Sequence, residues 1–185
     1  MKRSNGIVVD ADVARASADP SESQRALACA RAMRAILDRG ALCVAFDGQL
    51  QREWNEHQGR FARKWLGSMY ARRRVRVHDA LPPWATLRSV IAALSERPRG
   101  AAEKDLHLVE LARHDGWKLV SLDDTARRIF AQACDGCTEL AQLAWANPTA
   151  AEVLLWLEKG AEANGPRLGD EAPAPLRGKR RARRS

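Results

Sequence analysis

The stretch IVVDADV closes an apolar run with Asp10 and Asp12, and KLVSLDD repeats the pattern with Asp123 and Asp124. A single such pair is ordinary, because Asp is a good helix cap and a good turn residue. Two pairs at the ends of strand-like runs are more suggestive, and two further acids can join them. Glu53 stands in QREWNEHQ and Asp105 in AAEKDLHLVELA, with Glu56 and Glu103 as alternates. Carboxylates gathered in one cleft repel each other and lose hydration unless cations neutralise them. Convergence of these acids would therefore imply a metal, and oxygen-only donors favour Mg²⁺ or Mn²⁺ over zinc.

The elements that must position these acids alternate along the chain. Apolar runs at 6–10, 41–47, 74–78 and 117–121 read as strands, with LAQLAWA at 140–146 as a last one. Helices are expected over about 21–38, 49–57 and 60–71, then from the loop at Pro82 and Pro83 to about 96, and over about 102–115. Two more follow, one capped by the aspartates of DDTARRIFAQA and one opened by Pro148. Apolar strands alternating with helices predict a three-layer α/β/α sandwich around a mostly parallel sheet. In such sheets ligands sit at the carboxyl ends of the strands, near the point where strand order reverses. Asp10, Asp12, Asp123 and Asp124 all lie at carboxyl ends, and they converge if the two strands are neighbours.

The order and surroundings of these acids resemble the PIN-domain nucleases over roughly residues 5–160. The matching pieces are the strand-end Asp of IVVDADV, the helical Glu of LQREWNEH, the early helical Asp of EKDLHLVELA and the post-strand Asp of KLVSLDDTARRIF. WANPTAAEVLLWLEKG resembles the family's closing strand, Pro turn and helix. Where the family often has Asn or Ser two residues past the first Asp, this chain has Asp12, which keeps an oxygen donor and adds charge. The resemblance implies a metal-dependent endoribonuclease acting on single-stranded RNA. Asp10, Glu53, Asp105 and Asp123 would hold one or two Mg²⁺ or Mn²⁺ ions, with Asp12 and Asp124 as auxiliary ligands. Many such relatives are toxins neutralised by a partner antitoxin, and homodimers are in keeping with the family.

Charge distribution supplies a substrate side. Net charge is +8, but LRGKRRARRS at 176–185 holds six Lys or Arg and no acid, leaving residues 1–175 at only +2. Within that body, residues 57–78 carry seven bases and no acid. Arg60, Arg63, Lys64, Arg72, Arg73, Arg74 and Arg76 are interleaved with Phe61, Trp65 and Tyr70, a mixture suited to phosphate contact and base stacking. Phe61 and Trp65 stand four apart and so share a helix face, which favours core packing for both. The composition change at Asn164 divides the chain into a nuclease-like body, 1–163, and a disordered Pro/Gly linker with basic tail, 164–185.

Other chemistries find less support. CDGC at 134–137 has metal-knuckle spacing, but Cys29 and Cys43 form no second pair, so reduced thiols are expected. The four histidines match no HExxH-type pattern, and no GxGxxG or Walker loop occurs. No apolar run approaches the roughly 18 residues of a membrane span, and MKRSNG does not open a signal peptide, so the expected location is cytoplasmic. Two rivals remain. VVDADV also resembles the Asp-x-Asp strand of haloacid-dehalogenase-like phosphatases, with Asp10 as nucleophile and Asp12 as acid/base. A non-catalytic PIN-like RNA-binding module is the other.

Overall fold

The computed structural model describes residues 5–39, 41–162 and 165–170. Its first strand, β1 (Gly6–Val9), is buried throughout, as a strand covered on both faces must be. A short helix, α1 (Ala11–Ala16), starts directly on Asp10, and α2 (Gln24–Asp38) starts on Ser23, whose hydroxyl accepts the Ala26 N–H at 3.0 Å. Then come β2 (Cys43–Asp47), α3 (Gly48–His57), α4 (Arg60–Ala71) and β3 (Val75–His78). The second half contains α5 (Ala85–Ala92), α6 (Glu96–His114), β4 (Lys118–Val120), α7 (Asp124–Ala133), β5 (Ala144–Ala146) and α8 (Ala151–Glu158).

The strands form one parallel sheet in the order β3-β2-β1-β4-β5. Helix α6 crosses β1, β2 and β4, with α5 and α7 beside it, while α2 packs with α1, α4 and α8. The result is the expected three-layer α/β/α sandwich, its core filled from both faces of β1, β2 and β4. Among the described residues no helix is long and apolar enough to cross a membrane.

Several boundaries differ from the sequence reading for identifiable reasons. Helix α6 begins at Glu96 rather than near 102, because Pro98 falls in the first turn, where a missing N–H costs no helical hydrogen bond. It stops where Gly116 (φ 122°) and Trp117 (φ 63°) leave the right-handed region. The six-residue α1 has too little length to show a helical period and was not expected. The first three residues of LAQLAWA belong to a 3-10 turn, Thr138–Gln142, so β5 shortens to three residues. After Pro148, Asn147 Oδ1 accepts the Thr149 N–H and hydroxyl in a local turn, which delays α8 to Ala151.

Residues 165–170, expected to be disordered linker, lie along the outer edge of β5. Pro166 O accepts the Trp145 N–H at 3.0 Å, Leu143 O accepts the Leu168 N–H at 2.9 Å, and Leu168 is buried. An edge strand left with unpaired backbone groups is a liability, and this segment covers it. The basic tail lies outside the described residues.

Candidate functional site

Register fixes the centre of the site. Val9 pairs with Val120, so the next residues of the two neighbouring strands, Asp10 and Ser121, stand side by side at the carboxyl edge. Strand order reverses between β1 and β4, which is where ligands bind in parallel sheets. The Asp10 N–H donates to Val120 O at 2.9 Å, and Ser121 Oγ donates to Asp10 Oδ2 at 2.7 Å. The same Ser121 Oγ accepts the Asp123 N–H at 3.1 Å, so one buried hydroxyl ties both strand ends together.

Each carboxylate has a distinct position. Asp10 is buried and caps α1, its Oδ1 accepting the Asp12 N–H at 3.3 Å. Asp12 Oδ2 accepts the Leu122 N–H at 3.1 Å, whereas its Oδ1 is buried with no hydrogen-bond partner. Asp123 is exposed, and its Oδ1 caps α7 by accepting the Thr125 and Ala126 N–H groups, both at 2.8 Å. It is therefore a cap and a member of the strand-end cluster at once. Asp124 turns toward the end of β5, where its Oδ1 accepts from Asn147 Nδ2 at 3.0 Å.

The helical acids separate into those that face the cleft and those that face water. Glu53 on α3 is half-buried beside His107, while Glu56 is 70% exposed and lies beside His57. Asp105 on α6 is half-buried, while the alternate Glu103 points outward toward Arg99.

Electrostatics binds these groups into one site. Burial pushes the Asp12 carboxyl up to about 8, with the charge of Asp10 next in importance. Asp105 is raised to about 7, first by burial and then by the charges of Asp10, Asp123 and Glu53. Asp10 is raised by burial and by Glu53, against the Ser121 hydrogen bond that lowers it. The cleft thus holds mutually repelling carboxylates with one orphaned oxygen. That donor set fits a hard divalent cation, although among the described residues no group of three or more His, Cys, Asp or Glu side chains is already arranged to hold a metal ion.

Asp47, Ser121, His107 and Asn147 were not singled out from sequence. Asp47 ends an apolar strand just as Asp10 does, and that signal was present in VAFD. Its Oδ1 caps α3 through the Leu50 N–H at 2.7 Å, and its Oδ2 meets His107 Nδ1 at 3.1 Å. Burial pushes Asp47 up, but His107 and the backbone N–H groups outweigh it and hold the carboxyl below its ordinary range. His107 carried no local signal, since its partners are distant in sequence.

The basic block divides. Arg60, Arg63 and Lys64 are exposed on the first half of α4. Arg74 corrects the expectation of a nucleic-acid contact: it is buried, and its guanidinium donates to the carbonyls of Leu42, Leu37, Ile36 and Arg39 at 2.5–2.7 Å. Arg72 donates to Leu37 O at 2.8 Å, and Arg76 pairs with Asp115 at 2.6 Å. Arg72, Arg73 and Arg74 precede β3, at the amino edge, across the sheet from Asp10. Trp65 is buried with Nε1 donating to Met33 O, and Phe61 is half-buried against the core, as their spacing predicts; Tyr70 is exposed.

Compared with protein-family models, curated proteins and solved structures, the chain matches none.

Proposed function

We propose that this chain is a Mg²⁺- or Mn²⁺-dependent nuclease of PIN-like type that hydrolyses phosphodiester bonds of single-stranded RNA. The observation that carries the reading is the cluster of Asp10, Asp12, Asp105 and Glu53 at the strand-order reversal, where burial and mutual repulsion hold carboxyls up to about 7 and 8. A protein keeps such repulsion where function needs it, and perturbed carboxyls in a cleft mark functional sites. The choice of RNA over DNA comes from the family resemblance alone.

Asp10, Glu53, Asp105 and Asp123 would supply the oxygen donors, with Asp12 beside them. A bound divalent ion lowers the pKa of a coordinated water and neutralises charge on the phosphodiester. Ser121 fixes the orientation of Asp10 by donating to Oδ2. Asp123 is held against the cleft because its Oδ1 is anchored by two backbone N–H groups. Asp124, whose Oδ1 accepts from Asn147 at the end of β5, would be an auxiliary donor like Asp12. Arg60, Arg63 and Lys64 offer phosphate contacts that do not depend on base sequence.

One observation favours a second reading. Burial and the charge of Asp10 push the Asp12 carboxyl up to about 8, toward the protonated form that the acid of an Asp-x-Asp phosphatase needs. Labelled single-stranded RNA, single-stranded DNA and duplexes, incubated with Mn²⁺, Mg²⁺ or EDTA beside p-nitrophenyl phosphate, separate the two. Metal-dependent cutting of RNA with no ester hydrolysis supports the nuclease. Ester hydrolysis alone supports the phosphatase, and RNA binding without any cleavage supports the non-catalytic module.

A further inference from the structure

His107 lies between two carboxylates that belong to different elements. Its Nδ1 is 3.1 Å from Asp47 Oδ2 at the end of β2, and its Nε2 is 3.6 Å from Glu53 Oε1 on α3. The first is at hydrogen-bond distance; the second is long for a hydrogen bond and is a charge contact only when the imidazole carries both ring protons. The imidazole is 14% exposed and Asp47 16%, against 35% for Glu53, so the Asp47 contact is the better sheltered of the two. Gln49 Nε2 also donates to Glu53 Oε1, at 3.0 Å. Both neighbours thus fall on one oxygen of Glu53, and neither falls on Oε2.

The contacts tie the end of β2, α3 and α6 together. Asp47 sets the start of α3 with one oxygen and orients the imidazole with the other. His107 sits on α6 two residues after Asp105, so it links the helix that carries Asp105 to the helix that carries Glu53. We infer that His107 is a positioning residue, held by Asp47, that fixes Glu53 Oε1 so that Glu53 serves the cation site through Oε2. The inference rests on the reading of these carboxylates as a cation site. Carboxylate and imidazole partners that orient ligands in this way shift metal affinity or activity by roughly 10–100-fold when removed.

The test is a double-variant cycle on Mn²⁺ affinity, measured by titration calorimetry, with RNA cleavage followed in parallel. His107→Leu is expected to weaken Mn²⁺ binding about 10-fold and to lower kcat at unchanged KM. In a Glu53→Gln background the same change should add nothing, because its route through Glu53 is already lost. His107→Gln, which keeps a side-chain donor, should recover part of the loss and replaces His107→Leu in the cycle if the latter does not fold by circular dichroism. Additive losses in the double variant, or wild-type affinity in His107→Leu while the wild type binds Mn²⁺ and cleaves, overturn this inference alone. A wild type that neither binds Mn²⁺ nor cleaves overturns the cation-site reading and this inference together.

Discussion

At the amino edge of the sheet, Arg74 donates to four backbone carbonyls and Arg76 meets Asp115 at 2.6 Å. At the carboxyl edge, Asp10, Asp12, Asp105 and Glu53 press on one another, and Asp12 Oδ1 is buried with no hydrogen-bond partner. Both ends bury charge, but at the amino edge it meets carbonyls and opposite charge, and at the carboxyl edge it meets like charge. A buried charge with all its partners contributes to the fold, since removing it strands the groups it satisfied. Buried like charges without a counter-ion work against the fold, and their presence at a strand-order reversal points to a ligand that completes them.

The sharpest way to break the contrast is to change one residue at each edge. Asp10→Asn should reduce metal-dependent cleavage more than 100-fold, beyond the range of outer positioning residues, while leaving the fold intact by circular dichroism. Arg74→Met should do the reverse. It strands carbonyls at the foot of the sheet and should cost about 3 kcal/mol in urea unfolding, with cleavage unchanged under folding conditions.

The pH dependence sharpens it further. Asp12 and Asp105 have folded carboxyls raised to about 8 and about 7, above the ordinary carboxylate value near 4. The folded chain therefore binds more protons than the unfolded chain between about pH 4 and 8, so stability falls as pH rises through that window. In EDTA, Tm should drop by about 4 °C or more from pH 5 to pH 8, and Asp12→Asn should flatten the profile. A Tm that rises over the same window would contradict the raised carboxyls.

The smallest effect concerns the substrate side. Replacing Arg60, Arg63 or Lys64 singly by Ala should weaken RNA binding uniformly across sequences and reduce the salt slope by about 1 each, with stability changed by less than about 0.5 kcal/mol. A larger loss for Arg74→Ala than for these three, in folded protein, would reverse the assignment of the two edges.

Legibility followed the range of the interactions. Strands β1 and β2, α3 and α4 are encoded by local apolar period and turn residues, and the reading placed them within a few residues. The acid pairs were visible because strand ends are visible. That β1 and β4 are neighbours is a property of the sheet and has no local signature. The same holds for His107, whose two partners lie in α3 and at the end of β2, and for Arg74, which looks like any member of a basic run until its carbonyl partners in the last turn of α2 and on the α2–β2 connection are known. Docking of 165–170 on β5 was hidden for a related reason: Gly- and Pro-rich composition marks a chain that avoids helix, not one that avoids contact.

The most direct test of the cation site is Mn²⁺ titration calorimetry at pH 7 in two buffers of different ionisation enthalpy. Carboxyls that start protonated must lose protons to bind metal. The account predicts Mn²⁺ binding to the wild type with release of about one proton or more, and no such binding by Asp10→Asn. Absence of binding by the wild type, or identical binding by Asp10→Asn, would contradict it.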